Sequence, residues 1–282
     1  MRDICSRLPR AIKPDELASI LRPGMRVFTQ GTARKLPVIR CARIPLAAID
    51  YVLHADSPLP EFLDDVVEVT SACIGQHVAA LARDSDRIQL GIGKIAATML
   101  SGLKAHHSLG LHTGLITDGA VALVKSGVLN GARRPAGRGL VTGAFAGTRT
   151  LYALARDTGF FLTGTQETNS PLVLASIDNF VSINSALEVD LFGQVNSETL
   201  RCWQVSGSGG ALDFARGPAL SRGGRSIIAM PSTTRDGKNR ILRHFARGTQ
   251  STIGRSDVGI IVTEYVTADL RGKTTPARVR GF

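Results

Sequence analysis

Residues 87–126 read RIQLGIGKIAATMLSGLKAHHSLGLHTGLITDGAVALVKS, and their pattern decides the fold class. A short apolar run, Arg87–Leu90, meets Gly91-Ile92-Gly93, and a helix-forming run follows over Ala96–Leu103. A second apolar run, Leu109–His112, leads through a small polar turn into another helical stretch, Ala120–Ser126. Strands alternating with helices at this spacing predict an α/β domain with a mostly parallel sheet, because parallel neighbours need a crossover of about this length. Further strands are expected at Leu140–Phe145, Phe160–Thr163, Phe180–Ile183, Ser226–Met230 and Val258–Val262, with a helix at Arg149–Arg156. Upstream, Phe62, Val66, Val69, Cys73, Ala80 and Leu81 approach helical spacing over 61–84. Residues 13–33 read as a short helix, a Pro23-Gly24 turn and a strand ending at Gly31. Residues 34–47, RKLPVIRCARIPLA, hold two prolines and four basic residues without a period, and read as an irregular linker. The economical organisation is one α/β domain from about residue 50 to about 275 with a small N-terminal appendage.

The chain has 282 residues, 43% apolar and 20% charged, which suits an ordinary globular core. No stretch approaches the roughly 20 apolar residues of a membrane span. The opening, MRDICSRLPRAIKP, carries charge without an apolar run, so no secretory signal is expected. Cys5, Cys41, Cys73 and Cys202 stand far apart without Cys-x-x-Cys spacing. They predict reduced thiols in a cytoplasmic protein and no metal site, and His106, His107 and His112 add no ligand spacing. The net charge of +11 points to an anionic partner or to a basic solvated surface. Nucleic acid is not expected, since no helix-turn-helix or RNA-binding motif accompanies the charge. A phosphate-bearing small molecule such as coenzyme A fits equally well.

Four segments hold residue types suited to a site. Gly91-Ile92-Gly93 stands between a strand and a helix, where backbone N–H groups bind anions. The plain alternative is a tight turn, and Ala96 in place of a third glycine rules out a dinucleotide fingerprint. Ser206-Gly207-Ser208-Gly209-Gly210 suits a nest of N–H donors serving as an oxyanion hole, or else a flexible surface loop. Ser208 lacks the Gly-x-Ser-x-Gly order of a hydrolase nucleophile. Ser182–Glu198 places Asn184, Glu188, Asp190, Gln194 and Asn196 just past a strand, where α/β proteins hold ligands, although a polar turn has the same composition. Glu264, in Val262-Thr263-Glu264-Tyr265, ends an apolar strand as either a reactive carboxylate or a partner for an arginine.

In this order, RIQLGIGKIAATML, HHSLGLHTGLITDGAVALVKSGVL, NFVSINSALEVDLFGQVNSE, SGSGGALDFARGPALSRGGRSIIAMPS and RSDVGIIVTEYVTADLRGKT resemble the acetyl-CoA hydrolase/transferase family, especially its 4-hydroxybutyrate and butyrate CoA-transferase branch. The resemblance implies two related α/β CoA-transferase domains (the NagB/RpiA/CoA-transferase fold). Residues 48–282 would be the second, and 1–47 a remnant of the first plus a linker, in an internally shortened chain. It also implies coenzyme A as a substrate without a metal, with acyl-CoA and small carboxylates as ligands. The protein partner would be a second copy or a full-length paralogue.

The family's chemistry is covalent. A glutamate in a His-Thr/Ser-Glu motif attacks the thioester, and that carboxylate carries first the acyl group and then CoA before an acceptor acid collects the CoA. The matching text here is His112-Thr113-Gly114, so the nucleophile position is Gly114, with no side chain to form either intermediate. Asn184 and Glu264 are implied to line the site, and the Gly207–Gly210 loop with Gly91–Gly93 to form the coenzyme A and oxyanion region. Proline is usual where Ala96 stands, and glycine where Val266 stands. The expected function is an acyl-CoA:carboxylate CoA-transferase or acetyl-CoA hydrolase impaired at its nucleophile, with Glu264 or Glu188 as a replacement carboxylate. The alternatives are a CoA-binding or paralogue-pairing module without chemistry, and the product of a decayed gene.

Overall fold

The computed structural model describes residues 10–21, 40–41, 49–53, 59–62, 69–91, 94–131, 139–157, 159–200 and 203–282. Among these, nine strands form one sheet in the spatial order Thr267–Asp269, Ile260–Val262, Arg225–Ala229, Phe180–Ser185, Arg87–Leu90, Gly110–Thr113, Leu140–Thr142, Phe160–Leu162 and Arg40–Cys41. Neighbours run parallel except at one edge, where Thr267–Asp269 returns antiparallel to Ile260–Val262. Every residue of Arg87–Leu90, Gly110–Thr113 and Arg225–Ala229 is buried. Burial on both faces is why these strands read as unbroken apolar runs rather than alternating ones.

The two faces have separate cores. Ile227, Ala229, Ile260 and Val262 share one with Ile74, Met99, Leu123 and Leu151. Those four come from the helices Val69–Ala79, Lys94–Gly102, Gly119–Lys125 and Arg149–Asp157. Ile228 and Ile261, one residue on, turn to the other face against Ala215 of the helix Ala211–Leu220. The period of two along each strand produces this division.

Chain order along the sheet reverses at its middle. From Arg87–Leu90 the chain steps outward through Gly110–Thr113, Leu140–Thr142 and Phe160–Leu162. It returns to Phe180–Ser185, on the other side of Arg87–Leu90, and steps the opposite way to Ile260–Val262. Ligands of α/β sheets bind outside the carboxyl ends of the strands at such a reversal.

At the opposite, amino ends of the central strands lies a buried ion pair. Asp86 is 2% exposed and Arg225 6%. Arg225 Nη2 donates to Asp86 Oδ1 at 2.5 Å and Nη1 to the Leu81 carbonyl at 2.8 Å. The Arg83 N–H donates to Asp86 Oδ2 at 2.6 Å. Burial pushes the Asp86 carboxyl above its ordinary range against the pull of Arg225, and the same burial lowers the pKa of Arg225.

Two expectations need correction. Residues 34–47 are not irregular throughout, because Arg40–Cys41 pairs with Phe161 and Leu162 at the sheet edge. Backbone pairing at an edge needs no side-chain period. Of the helix expected over 61–84, Val69–Ala79 is helical and 80–84 are not, while 63–68 lie outside the described residues. Of residues 13–33, Pro14–Ile20 is helical, while the strand ending at Gly31 lies outside the described residues. Arg10–Ile12 pairs in parallel with Tyr51–Leu53, apart from the main sheet.

Candidate functional site

His112-Thr113-Gly114 runs off the carboxyl end of Gly110–Thr113. His112 and Thr113 are fully buried and, by alternation, face opposite sides of the sheet. His112 Nε2 lies 3.2 Å from the Thr168 carbonyl, and its ring meets Phe180 edge-on at 6.1 Å. Thr113 Oγ1 lies 2.9 Å from the Leu115 carbonyl and 3.1 Å from the Leu90 carbonyl, tying this strand end to its neighbour. A Cβ at Gly143 would come within 2.7 Å of the Gly114 carbonyl, so the backbone at 114 is closely packed. The side-chain direction of Gly114 has room for a first carbon. A Cβ built there would meet Asn169 Oδ1 at 3.5 Å and the Phe214 ring at 3.8 and 3.9 Å, all ordinary contacts. Local geometry does not demand glycine at 114.

Asn169 and Phe214 also reach the glycine loop. A side chain at Gly210 would collide with Asn169 Nδ2 and sit 3.0 Å from Phe214. Gly114 and Gly210 therefore flank the same two side chains. Asn169 follows the helix Thr165–Thr168, and its Oδ1 accepts from Thr168 Oγ1 at 2.8 Å, which turns Nδ2 toward the loop. Gly209 has φ +53°, which favours glycine. Gly210 caps the helix Ala211–Leu220, and exposed Gly207 borders open space. Among the described residues no protein acceptor takes the backbone N–H of Gly209 or Gly210. With the positive end of the helix dipole behind them, they form a cradle suited to an anion or oxyanion. In the first turn of that helix, burial pushes the Asp213 carboxyl up from its ordinary value, while Arg216 pulls it down.

Gly91 and Asn184 stand at the reversal point. The Gly91 N–H donates to the Ile183 carbonyl at 2.8 Å, so the sheet already uses it. Glycine suits the position because a Cβ would lie 3.1 Å from that carbonyl and 3.5 Å from Asn184. Asn184 and Gln89 exchange amide hydrogen bonds: Gln89 Nε2 donates to Asn184 Oδ1 at 3.2 Å, and Asn184 Nδ2 donates to Gln89 Oε1 at 3.1 Å. Gly93 lies outside the described residues.

The other polar residues of 182–198 build turns. Asp190 Oδ1 accepts the N–H groups of Phe192 and Gln194 at 3.0 and 2.9 Å. Fully buried Asn196 donates to Glu188 Oε2 at 3.0 Å and to the Thr199 carbonyl at 2.7 Å, while its Oδ1 accepts from the Glu198 and Thr199 N–H groups. Asn196→Ala leaves those groups without a partner and should cost about 2–3 kcal/mol, measured as a lowered urea midpoint. Glu264 is likewise occupied, accepting from the Ser232 N–H at 2.8 Å and Ser232 Oγ at 2.7 Å. Its strand lies four steps from Gly110–Thr113, which separates the strand ends by roughly 19 Å at about 4.8 Å per step. Val266 completes the hairpin turn without entering the left-handed region, so this turn does not need the glycine usual there.

Sequence reasoning misses Asn169, Phe214, Gln89 and Ser232 as site neighbours. Asn169 had one usable signal: it precedes Ser170-Pro171, and proline marks the first turn of a new helix, here Pro171–Ala175.

Residues 147–282 match the model of the acetyl-CoA hydrolase/transferase C-terminal domain. The chain is 41% identical over 242 residues to the 4-hydroxybutyrate coenzyme A transferase of Clostridium kluyveri, covering 85% of this chain and 56% of that protein. RipA from Yersinia pestis superposes with a TM-score of 0.77 at 34% identity, covering 84% of this chain and 54% of RipA. The 4-hydroxybutyrate CoA-transferase from Porphyromonas gingivalis gives 0.70 at 34% identity, covering 84% of this chain and 55% of that one. The fold is that of the CoA-transferases, and the chain belongs to the acetyl-CoA hydrolase/transferase family. It spans about half the length of the relatives it matches. Among the described residues, no helix is long and apolar enough to cross a membrane.

Proposed function

We propose that this chain is a CoA-transferase-type domain that binds acyl-CoA beside the Gly207–Gly210 loop and is impaired in covalent transfer to small carboxylates. The observation that carries this reading is the convergence of Gly114 and Gly210 on Asn169 and Phe214. It brings the nucleophile position implied by the family resemblance next to a cradle of backbone donors. The cradle suits the thioester oxygen, and the surplus of basic residues suits the phosphates of coenzyme A. Glycine at 114 supplies no atom to attack the thioester. Residues 48–282 are taken as the second CoA-transferase domain and 1–47 as a remnant of the first with a linker. Four widely spaced cysteines suit the reducing cytoplasm.

The test incubates the chain with acetyl-, butyryl- or succinyl-CoA plus acetate, following free thiol and exchanged CoA separately. Transfer as fast as in an intact transferase would overturn the impairment. Binding is tested by titration calorimetry with coenzyme A. The Kd should rise roughly tenfold as salt goes from ~0.01 to ~1 M, because the screening length falls from ~30 to ~3 Å. Gly209→Val should weaken binding further, since valine resists a positive φ. Affinity indifferent to both changes would count against this placement.

A second reading, a module that pairs with a full-length paralogue, draws on one observation. Trp203 is 77% exposed and Val205 53% exposed, immediately before the glycine loop, where a partner would bury apolar surface.

A further inference from the structure

The crossover from Arg225–Ala229 to Ile260–Val262 starts at the carboxyl end of the sheet, the side where α/β proteins hold ligands, and contains no helix. Its first part, residues 233–250, reads TTRDGKNRILRHFARGTQ. Five cations, Arg235, Lys238, Arg240, Arg243 and Arg247, stand there against one acid, Asp236, which leaves four of the chain's eleven net positive charges in this segment. Lys238 already engages Asp236 at 2.8 Å.

Arg240 stands out among these cations. It is half-buried, its Nε is fully enclosed, and its guanidinium bonds to no described residue. Carboxylates on the adjoining strands are engaged elsewhere. Ile241 pairs with Val189, which sets Arg240 beside Glu188, and Glu188 accepts from Asn196 at 3.0 Å. The Arg240 N–H donates to the Ser232 carbonyl at 2.8 Å, while Ser232 holds Glu264 through its own N–H and Oγ. A guanidinium partly withdrawn from water without a counter-charge is unfavourable, and an oxyanion bound by paired N–H donors relieves that cost.

This segment is also joined to the glycine loop. Glu188–Asp190 lies between Ile241–Leu242 and Val195–Asn196, so Arg240 is two strand spacings, about 10 Å, from Asn196. The Gln250 N–H donates to Thr199 Oγ1 at 3.1 Å. The Glu198 carbonyl accepts from the Val205 and Ser206 N–H groups at 2.8 and 3.1 Å, where the loop begins. An acyl-CoA carries its thioester at one end of a long pantetheine arm and its phosphates at the other, so one molecule can reach both places.

We infer that Arg240 anchors the phosphates of an acyl-CoA whose thioester lies at Gly209–Gly210, with the flanking cations adding a general attraction. The inference deepens the function proposed above and rests on it. It places the contribution of residue 240 at the nucleotide end of the ligand alone, so a thioester without phosphates is indifferent to that residue.

The experiment is titration calorimetry of the full chain in ~0.15 M salt with coenzyme A, adenosine 3′,5′-bisphosphate and acetyl-pantetheine. It compares the parent with Arg240→Gln, Arg240→Lys and Lys104→Gln. Exposed Lys104 precedes the amino end of Gly110–Thr113, so its loss removes the same charge at the opposite end of the sheet. Arg240→Gln should raise the Kd of coenzyme A and of the bisphosphate about tenfold, and Arg240→Lys should raise it less. Lys104→Gln should change neither by more than about twofold, and acetyl-pantetheine should bind all four proteins alike. Equal effects of Arg240→Gln and Lys104→Gln, with coenzyme A still bound by the parent, overturn the inference and leave the proposed function standing. A single-stranded oligonucleotide that displaces coenzyme A at lower concentration than the bisphosphate also overturns it. Failure of the parent to bind any of the three ligands overturns both readings. Should Arg240→Gln fail to fold, phenylglyoxal labelling of the parent decides: the bisphosphate should protect Arg240, and labelling unchanged at saturation overturns the inference.

Discussion

Gly114→Glu is expected to raise CoA transfer from an acyl-CoA to a small carboxylate by at least about two orders of magnitude over the parent chain. The physical case has three parts. The position accepts a first side-chain carbon, because a Cβ there makes contacts of 3.5 Å and longer, and its φ lies outside the left-handed region. The backbone is already fixed by Thr113 Oγ1 and by the close packing of Gly143, so a new side chain starts from a defined direction. Gly210 packs against the same two residues, and its N–H, like that of Gly209, has no protein acceptor among the described residues, so free backbone donors lie in the neighbourhood. A carboxylate fixed to the backbone avoids the translational and rotational entropy loss of bringing a nucleophile to the thioester. The measurement is exchange of labelled CoA under saturating substrates. Parallel initial-velocity lines, the pattern of a covalent relay, are expected for this variant. A folded Gly114→Glu protein that binds acyl-CoA and transfers no faster than the parent would remove the nucleophile assignment from position 114.

The second large effect concerns stability. Asp86→Ala is expected to destabilise the chain by about 3–5 kcal/mol, because it leaves Arg225 buried without its counter-charge. Arg225 is 6% exposed, and its remaining bond is to the Leu81 carbonyl. Burial shifts both partners toward their neutral forms, so the pair costs desolvation that its attraction only partly offsets. The double replacement Asp86→Leu with Arg225→Met should therefore recover most of the loss. Urea unfolding of the parent, both singles and the double gives the coupling directly. If both singles fall within ~1 kcal/mol of the parent, the pair is effectively solvated and its buried geometry is wrong. The pair lies at the amino ends of the strands, away from Gly114, so these variants also separate stability from function.

How much of this was legible in the sequence depended on which forces set each element. Strands buried on both faces announce themselves as apolar runs, and Arg87–Leu90 falls where it was expected. The helix Ala211–Leu220 hid behind Gly217 and Pro218, residues of poor helix propensity. Its reason is tertiary: a side chain at Gly217 would collide with Leu174, so the glycine lets Pro171–Ala175 approach. The return strand Thr267–Asp269 has three residues and one buried position, too little to show a period. In the site, the glycine loop was visible from composition, and the significance of Gly114 came only through family resemblance. Asp190 and Asn196 looked like ligand residues because turn builders and ligand binders are the same residue types. Asn169 could not be found from spacing, since its importance arises from contacts with positions 114 and 210, far from it in the chain.

The central claim is that the chain engages acyl-CoA without forming a bond to it. The most direct measurement is intact-protein mass spectrometry of the parent chain after incubation with butyryl-CoA and quenching with borohydride, alongside calorimetry under the same conditions. Heat of binding with an unchanged protein mass is the expected result. A reduced glutamate in the parent chain, mapped to Glu264, Glu188 or any other position, would contradict it.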